Sequence, residues 1–478
     1  MKSRYLTCQS HLVLTSVLVL LLTCSTSLGA QPGASLNTMR IDYFHTGNNA
    51  TELFSLDEVV IEPLSWPGNP NVPIDTTLRG KFLFEIQSQE TGLVVYSRSY
   101  SSIYGEWETT GEARAMNRTF HESVRFPQQV TPFKLIIKKR DSRHVFQQVW
   151  ELNVDPEDIL IHRESAPLRE QVIPVYVSGD PQQKVDLLIL GDGYTAMEKE
   201  LFLQQVNHLT EVFFNTSPFK ERKNDFNVWA LMPVADQSGV SRPSEGLYRD
   251  TPLGTSYDAF RSERYILTYD NKAFRQIASS APYDFIEIIV NSETYGGGGI
   301  YGLYSTAAAG SDWDEYLFIH EFGHHFAGLA DEYYTSSVAY ELPDEIIEPY
   351  EPNVTALHDP ENLKWKHLVN TSTPVPTPWP KQVYEEQSMA YQQERAQLRA
   401  NQRPEAEMNA LFARNRDKVQ ELFSSVEHKN SIGAFEGGNY QAQGIYRSAL
   451  NCAMFERNLD FCQVCSEAIE VIIDSYSR

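Results

Sequence analysis

The sequence predicts a multidomain chain, in which an N-terminal antiparallel β-sandwich is followed by an α/β domain that carries a helical insertion. Three observations support this fold class. The chain has 478 residues, which is enough for two or three domains. Short alternating strands fill residues 39–154, whereas the sequence after about residue 170 alternates buried strands with helices. A charged, glutamine-rich stretch near the C-terminal third then has the pattern of a helical pair.

Residues 1–30 have the order of a secretory signal peptide. Lys2 and Arg4 precede an apolar stretch from Leu12 to Cys24, and small residues follow. The apolar stretch is too short to span a bilayer comfortably, and the alternative is a buried N-terminal helix. We therefore expect an exported protein that is secreted, periplasmic or held at the cell surface. Cleavage of the signal and lipid attachment at Cys24 both remain open.

The composition narrows the range of partners. The net charge is −23, so nucleic acid and anionic membrane surfaces are not expected to bind. No later segment is long and apolar enough to predict a transmembrane helix. The acidic surface is typical of a solvated, soluble protein. The oligomeric state is left open.

Three cysteines remain after the signal segment, namely Cys452, Cys462 and Cys465. A three-thiol zinc site at this spacing lacks a fourth ligand nearby in the sequence. In an exported protein, one disulfide and one buried thiol is the favoured interpretation. The spacing does not say which two would pair.

Residues 31–165 are expected to form the β-sandwich domain. Residues 78–86 and 133–139 alternate between apolar and polar positions, as half-buried strands do. The domain also contains several large aromatic residues, which predict either core packing, the favoured interpretation, or a carbohydrate or protein contact surface. These residues are Trp66, Tyr96, Tyr100 and Trp107.

Residues 170–478 are expected to form the α/β domain. Residues 185–191 make a nearly continuous apolar run, which indicates a strand buried on both faces. The glycines of residues 296–299 predict either a strand edge that a peptide substrate could join or a flexible turn. Residues 385–425 are the helical insertion, interpreted as a peripheral hairpin broken near Pro404. Its weak apolar periodicity falls at Met389, Leu398, Met408, Leu411 and Leu422.

The motif His320-Glu321-Phe322-Gly323-His324 contains the candidate catalytic and metal-binding residues. Two histidines four residues apart lie on one face of a helix, so both imidazoles can reach a single metal ion. Glu321 is adjacent to the first histidine, where its carboxylate can take a proton from a water molecule that the metal activates. This H-E-x-x-H arrangement predicts a zinc hydrolase. The sequence predicts that the helix runs from Trp313 to about Ala327 and stops at Gly328.

The third zinc ligand is expected beyond the helix, because the chain must turn back over the metal. The pattern H-E-x-x-H-x-x-G-x-x-H keeps a glycine three residues before its last ligand, and Gly328 keeps that interval to Asp331. The sequence departs from the pattern in one respect, because one extra residue separates His324 from this glycine. Asp331 is therefore the favoured third ligand and Glu332 the alternative. His325 has no partner at helical distance and is expected to pack or to support a ligand.

The extended motif H-E-F-G-H-H-F-A-G-L-A-D-E-Y-Y resembles the IgA-peptidase family of zinc metalloendopeptidases. Further motifs that resemble this family are F-E-G-G-N-Y at 435–440, G-I-Y-R at 444–447, C-A-M at 452–454 and F-C-Q-V-C at 461–465. The resemblance spans most of residues 40–478. It implies a metzincin-like peptidase domain after a β-domain, with a methionine turn beneath the metal for which Met454 is the candidate. The alternative for Met454 is an ordinary core methionine.

The sequence as a whole predicts an exported zinc metalloendopeptidase with Glu321 as general base. Tyr446 is a candidate donor to the oxyanion, although packing is the favoured role for that tyrosine. One alternative is a zinc hydrolase of glycan or amide substrates. The other is a glycoprotein-binding module with structural zinc, but a structural site closes with four protein ligands and does not need Glu321. The partner that this prediction implies is a protein or peptide substrate, with a glycoprotein as one possible kind. The natural substrate, IgA included, is left open.

Overall fold

The computed structural model describes residues 36–336, 338–341 and 345–477. The expected signal segment, with Cys24, lies outside these residues. Within the described part of the chain, no helix has the length and apolar character needed to cross a membrane.

The N-terminal part consists of two four-stranded sheets that share one apolar core. One sheet has the order β5-β1-β2-β8 and the other has the order β4-β3-β6-β7. Their elements are β1 (Asn37–Gly47), β2 (Glu52–Ser65), β3 (Phe82–Ser88), β4 (Val94–Tyr100), α1 (Ile103–Trp107), β5 (Arg118–Pro127), β6 (Phe133–Arg140), β7 (Phe146–Val154) and β8 (His162–Arg163). Ile41 and Phe126 from the first sheet and Phe82 and Ile137 from the second are fully buried together. Trp66, Tyr96, Tyr100 and Trp107 are also buried, which confirms the packing interpretation.

The body that follows is built on a six-stranded sheet of order β15-β16-β14-β10-β11-β9. Its elements are β9 (Ile173–Tyr176), β10 (Val185–Asp192), α2 (Lys199–Asn215), β11 (Phe226–Leu231), β12 (Thr255–Ser256), β13 (Leu267–Thr268), α3 (Asn271–Ala278), β14 (Phe285–Val290), β15 (Gly297–Ile300), β16 (Tyr304–Ala308) and α4 (Asp314–Ala327). Every residue of β10 and β14 is buried, as the apolar run at 185–191 predicted. The edge strand β15 runs antiparallel to β16 and packs against α4.

The C-terminal third adds a three-stranded sheet and three helices. These are β17 (Val354–Thr355), α5 (Lys381–Ala400), α6 (Glu405–Ser424), β18 (Phe435–Gly438), β19 (Gln441–Arg447) and α7 (Gln463–Ser477). α5 and α6 occupy the stretch predicted to be a helical pair, and they are separated just before Pro404. The expected periodicity is wrong at Met389, which is 58% exposed, because α5 buries Tyr384 and Tyr391 instead. That the stretch is an insertion stays a prediction.

The strand-rich N-terminal region and the mixed α/β body are confirmed, with seven α-helices among the described residues. The boundary at residues 165–170 stays a prediction. The two sides of this boundary are in contact. The guanidinium of Arg79 donates to the carbonyl of Ala327 at 2.7 Å and to that of Ala468 at 2.8 Å. Because Ala327 is the last residue of α4, the N-terminal part helps to fix the end of this helix.

Candidate metal centre

Helix α4 presents two histidines on one side, one turn apart. His320 and His324 have their Nε2 atoms 3.2 Å apart. The helix ends where the sequence predicts, at Gly328, whose backbone is left-handed with φ of +59° and whose N–H is bonded to the carbonyl of His324. Glycine adopts the left-handed backbone conformation with little steric strain, whereas other residues do not. This position therefore allows the chain to reverse over the helix face.

The reversed chain brings Asp331 to the two histidines. Its Oδ1 lies 3.0 Å from Nε2 of His320 and 3.2 Å from Nε2 of His324. The carboxylate is 5% exposed, and Oδ1 has no hydrogen-bond donor among the described residues other than these imidazoles. Three ligand atoms therefore converge on one point inside the protein.

The Nδ1 atom of each imidazole is hydrogen-bonded to a backbone carbonyl oxygen. Nδ1 of His320 lies 2.8 Å from the carbonyl of Ala453, and Nδ1 of His324 lies 2.6 Å from that of Leu329. A carbonyl can only accept, so both Nδ1 atoms carry hydrogens, and in the neutral rings Nε2 offers a lone pair. Two lone pairs and a buried carboxylate oxygen that face one another fit a divalent metal ion bound by two imidazoles and one carboxylate.

The electrostatics of the three groups agree with this fit. Burial alone would raise the pKa of Asp331, but the positive charge of His324 and hydrogen bonds from both imidazoles hold it well below its usual range. Burial disfavours protonation of His324, yet the charge and hydrogen bond of Asp331 raise its pKa to about 9. The carboxylate is thus ionised and attracts a cation, whether that cation is a proton on His324 or a metal.

Glu321 lies beside this centre without joining the three converging atoms. It is the residue after His320 on α4, and it lines the same cavity. Burial raises its pKa, while the neighbouring imidazoles act in the opposite direction. A carboxylate with a raised pKa and an opening to the cavity is suited to accepting a proton and returning it.

The edge strand β15 crosses α4 at very short range. A Cβ at Gly299 would lie 2.2 Å from the carbonyl oxygen of Glu321 and 2.9 Å from Cβ of His324. The glycine run therefore forms a strand edge and not a flexible turn, because only glycine allows this approach. In the antiparallel pairing with β16, the backbone groups of Gly297 and Gly299 point away from the sheet. Those of Gly297 bond Arg264 and Ile266, while Gly299 borders the cavity.

The cavity at this centre has a volume of about 550 Å³ and is lined from both parts of the chain. Its walls include Lys81 and Glu106 from the N-terminal part, Tyr384 and Tyr391 from α5, and Arg264, Tyr265, Tyr333, Tyr340 and Tyr440 around the histidines. A pocket of this size and composition can hold several side chains of an extended peptide.

Tyr440 is a site residue that the sequence reasoning did not single out. Its hydroxyl donates to Oδ2 of Asp331, while the backbone N–H of Asn439 donates to the carbonyl of Asp331 at 2.8 Å. Burial and the charge of Asp331 raise the pKa of Tyr440 well above its ordinary value, so the hydroxyl stays protonated. The signal was present, because Tyr440 ends the F-E-G-G-N-Y motif.

The remaining predicted residues fall in three different places. Met454 is fully buried below α4, where its Sδ would lie 3.0 Å from a Cβ at Gly323. Glu332 turns away from the histidines, and its Oε1 accepts from Asn353 at 3.1 Å. Tyr446 pairs with Thr355 in the β17–β19 ladder and is not among the residues that line the cavity. The structure thus does not bring Tyr446 to the centre.

His325 is packed, in agreement with its expected role. Its Nε2 accepts from the N–H of Ile286 at 3.1 Å, and its Nδ1 lies 3.1 Å from the carbonyl of Ile300. Burial lowers its pKa to about 3, so the ring is neutral. His325 therefore joins α4 to β14 and to the edge strand.

Two family models match the chain. The model described as IgA Peptidase M64 matches residues 173–473, and the model described as Peptidase M64 N-terminus matches residues 34–151. The comparison with curated proteins found no match.

Proposed function

The chain belongs to the M64 IgA peptidase family, and from this premise we propose that it is an exported zinc-dependent endopeptidase with Glu321 as general base. Family membership makes the chain a peptidase, a hydrolase that acts on peptide bonds, with a protein or peptide as substrate. It therefore disfavours the two alternatives that the sequence left open, a glycan or amide hydrolase and a binding module.

One observation supports the proposal most strongly. Nε2 of His320, Nε2 of His324 and Oδ1 of Asp331 converge at the base of a cavity beside Glu321. Three protein ligands with an open position are the arrangement of catalytic zinc, whereas structural zinc is enclosed by four. Zinc bound there would polarise the scissile carbonyl and acidify a water molecule.

The residues of the chain would perform the rest of the reaction. Glu321 would accept the proton of the attacking water and deliver it to the leaving amine, for which a pKa raised by burial is favourable. Asp331 would offset the charge of the cation, and Tyr440 would hold its second oxygen in place. The guanidinium of Arg264 donates to the hydroxyl of Tyr333 at 3.2 Å and lines the cavity, where it could stabilise an oxyanion. Tyr446, the donor considered from the sequence, does not line the cavity.

The substrate would bind as an extended strand. Arg264 and Ile266 bond the backbone of Gly297. Two residues further along β15, the outward N–H and C=O of Gly299 border the cavity. A peptide that paired with Gly299 would continue the sheet and pass over Glu321.

Two finer features also belong to the proposal. The domain would be metzincin-like, with Met454 as the methionine beneath the metal, because this residue packs under Gly323 between the two histidines. Export rests on the signal pattern of residues 1–30, with secretion and attachment at Cys24 as the two outcomes.

Cleavage mapping tests the function. A mixture of denatured proteins is incubated with the zinc-loaded chain, and the new termini are identified by mass spectrometry. We expect internal cleavages that a chelator abolishes and added zinc restores, with the Glu321→Gln variant as the matched control for contaminating proteases. Cleavage that is unchanged after thorough removal of metal would contradict the proposal.

A further inference from the structure

A second cluster of metal-ligating side chains lies on the far side of the Asp331–Glu332 segment. Cys452, Cys462 and Cys465 gather with Glu332, and their four ligand atoms lie within 4.8 Å of one another. The spacing of these cysteines favoured one disulfide, but all three are free. The fourth ligand, Glu332, is distant from them in the sequence and is brought in only by the fold.

The distances in this cluster match those around a metal ion. Sγ of Cys452 lies 3.7 Å from Sγ of Cys465, and Sγ of Cys465 lies 3.5 Å from Oε1 of Glu332. Tetrahedral zinc, with bonds of about 2.3 Å to sulfur and about 2.1 Å to oxygen, places two sulfurs about 3.8 Å apart and sulfur and oxygen about 3.6 Å apart. A disulfide requires about 2.05 Å between sulfurs, so the observed separation fits shared coordination better than a covalent bond.

Glu332 supplies a second, independent indication of a cation. Its side chain is fully buried, and Oε2 has no hydrogen-bond partner among the described residues. The charge of the buried Arg447 acts on Glu332, but its guanidinium donates to the carbonyls of Gly437 and Leu450 and makes no ion pair with Glu332. A buried carboxylate with an unpartnered oxygen is costly unless a cation neutralises it.

The surroundings of the sulfurs are those of bound thiolates. The N–H of Cys462 donates to Sγ of Cys452 at 3.3 Å, and the hydroxyl of Ser448 lies 3.2 Å from Sγ of Cys462. Donors of this kind stabilise negative charge on sulfur and orient the ligands. Three thiolates and one carboxylate complete a tetrahedron without an open position, which is the mark of a structural zinc site.

We propose that Cys452, Cys462, Cys465 and Glu332 bind a second, structural zinc ion that holds the ligands of the first centre in place. The cluster joins the segment after α4 to the start of α7 and to the segment that contains Met454. The N–H of Glu332 donates to the carbonyl of Met454 at 2.8 Å, and the carbonyl of Ala453 orients His320. Zinc bound to Glu332 would thereby fix Asp331, the adjacent residue, and the support of His320.

Zinc analysis combined with X-ray absorption tests the proposal on the full chain produced with added zinc. We expect about two zinc ions per chain and sulfur neighbours at about 2.3 Å in the zinc spectrum. A variant with His320→Ala and His324→Ala should keep about one zinc ion with a sulfur-rich spectrum, and Cys462→Ser should lose that ion. Because the wild-type spectrum alone reveals sulfur ligands, failure of a variant to fold does not prevent the test.

Two results would overturn the proposal. One is a wild-type zinc spectrum that contains only nitrogen and oxygen neighbours. The other is a disulfide between any two of these cysteines in zinc-supplied protein, detected by alkylation under denaturing conditions without reductant. Failure of the catalytic proposal would give a different result. The nitrogen-bound zinc or the peptide cleavage would be absent, while the sulfur-bound zinc would still be present.

Discussion

Asp331 and Glu332 are adjacent in the chain, yet their carboxylates enter two different clusters of metal-ligating side chains. Oδ1 of Asp331 lies 3.0 Å from Nε2 of His320, whereas Oε1 of Glu332 lies 3.5 Å from Sγ of Cys465. The segment after Gly328 directs these two successive side chains to different clusters, so a shift of one residue would exchange their roles. The choice of third ligand therefore has a direct test.

Asp331→Ala should lower peptide cleavage by more than about 100-fold, because one of three ligands of the proposed catalytic zinc is removed. Zinc affinity is measured by competition with a chromogenic chelator. His325→Ala is the control, and in folded protein it should keep this zinc because its ring bonds only backbone groups. Retention of nitrogen-bound zinc by Asp331→Ala, together with its loss from Glu332→Gln, would reverse the assignment.

Tyr440→Phe should weaken zinc binding by about 10-fold to 100-fold, since the hydroxyl that holds Oδ2 of Asp331 is lost. Tyr446→Phe is a matched control, because this tyrosine belongs to the following strand and does not line the cavity. The dissociation constant of zinc is measured for both variants. Equal affinities in the two variants would show that the hydroxyl of Tyr440 does not support the ligand.

Gly299→Ala should destabilise the protein by about 3 kcal/mol and disturb the site, because its Cβ would overlap the carbonyl of Glu321. Gly179→Ala is the control, since a Cβ there meets only the flexible side chain of Lys184. The free energy of unfolding is measured by denaturant titration at saturating zinc. A Gly299→Ala variant as stable as the control would contradict the close packing of β15 on α4.

Zinc binding at neutral pH should release a proton from His324. In the metal-free chain its pKa is raised to about 9, so the ring is protonated at pH 7 and must lose that proton before Nε2 can bind zinc. Affinity should therefore rise with pH until about pH 9 and then level off. Calorimetry in buffers of different ionisation enthalpy measures the release, and its absence at pH 7 would contradict the assignment of His324.

The local pattern of the sequence predicted that His320, His324 and Asp331 come together. The spacing of His320 and His324, the acid between them and the glycine stop at Gly328 all depend on helix geometry within a few residues. The same holds for the apolar run of β10 and the alternating strands of the N-terminal part. Periodicity was less reliable in α5, where tyrosines and not Met389 face the core.

What the sequence could not provide depends on contacts between distant segments. The bond between Tyr440 and Asp331 requires the turn after β18, where Asn439 and Tyr440 both have positive φ, to meet the segment after α4. Tyrosine is unusual in this conformation, so no local propensity predicted it. In the same way, the meeting of Glu332 with the cysteines depends on the fold and not on spacing.

The central claim is that Glu321 transfers the proton and does not bind the metal. It is tested most directly by measuring zinc content and peptide cleavage together in the Glu321→Gln variant. We expect zinc content equal to that of the wild type and cleavage reduced by about 100-fold to 10,000-fold, because the amide cannot accept a proton. Cleavage near the wild-type rate, or loss of the histidine-bound zinc from the folded variant, would contradict the account.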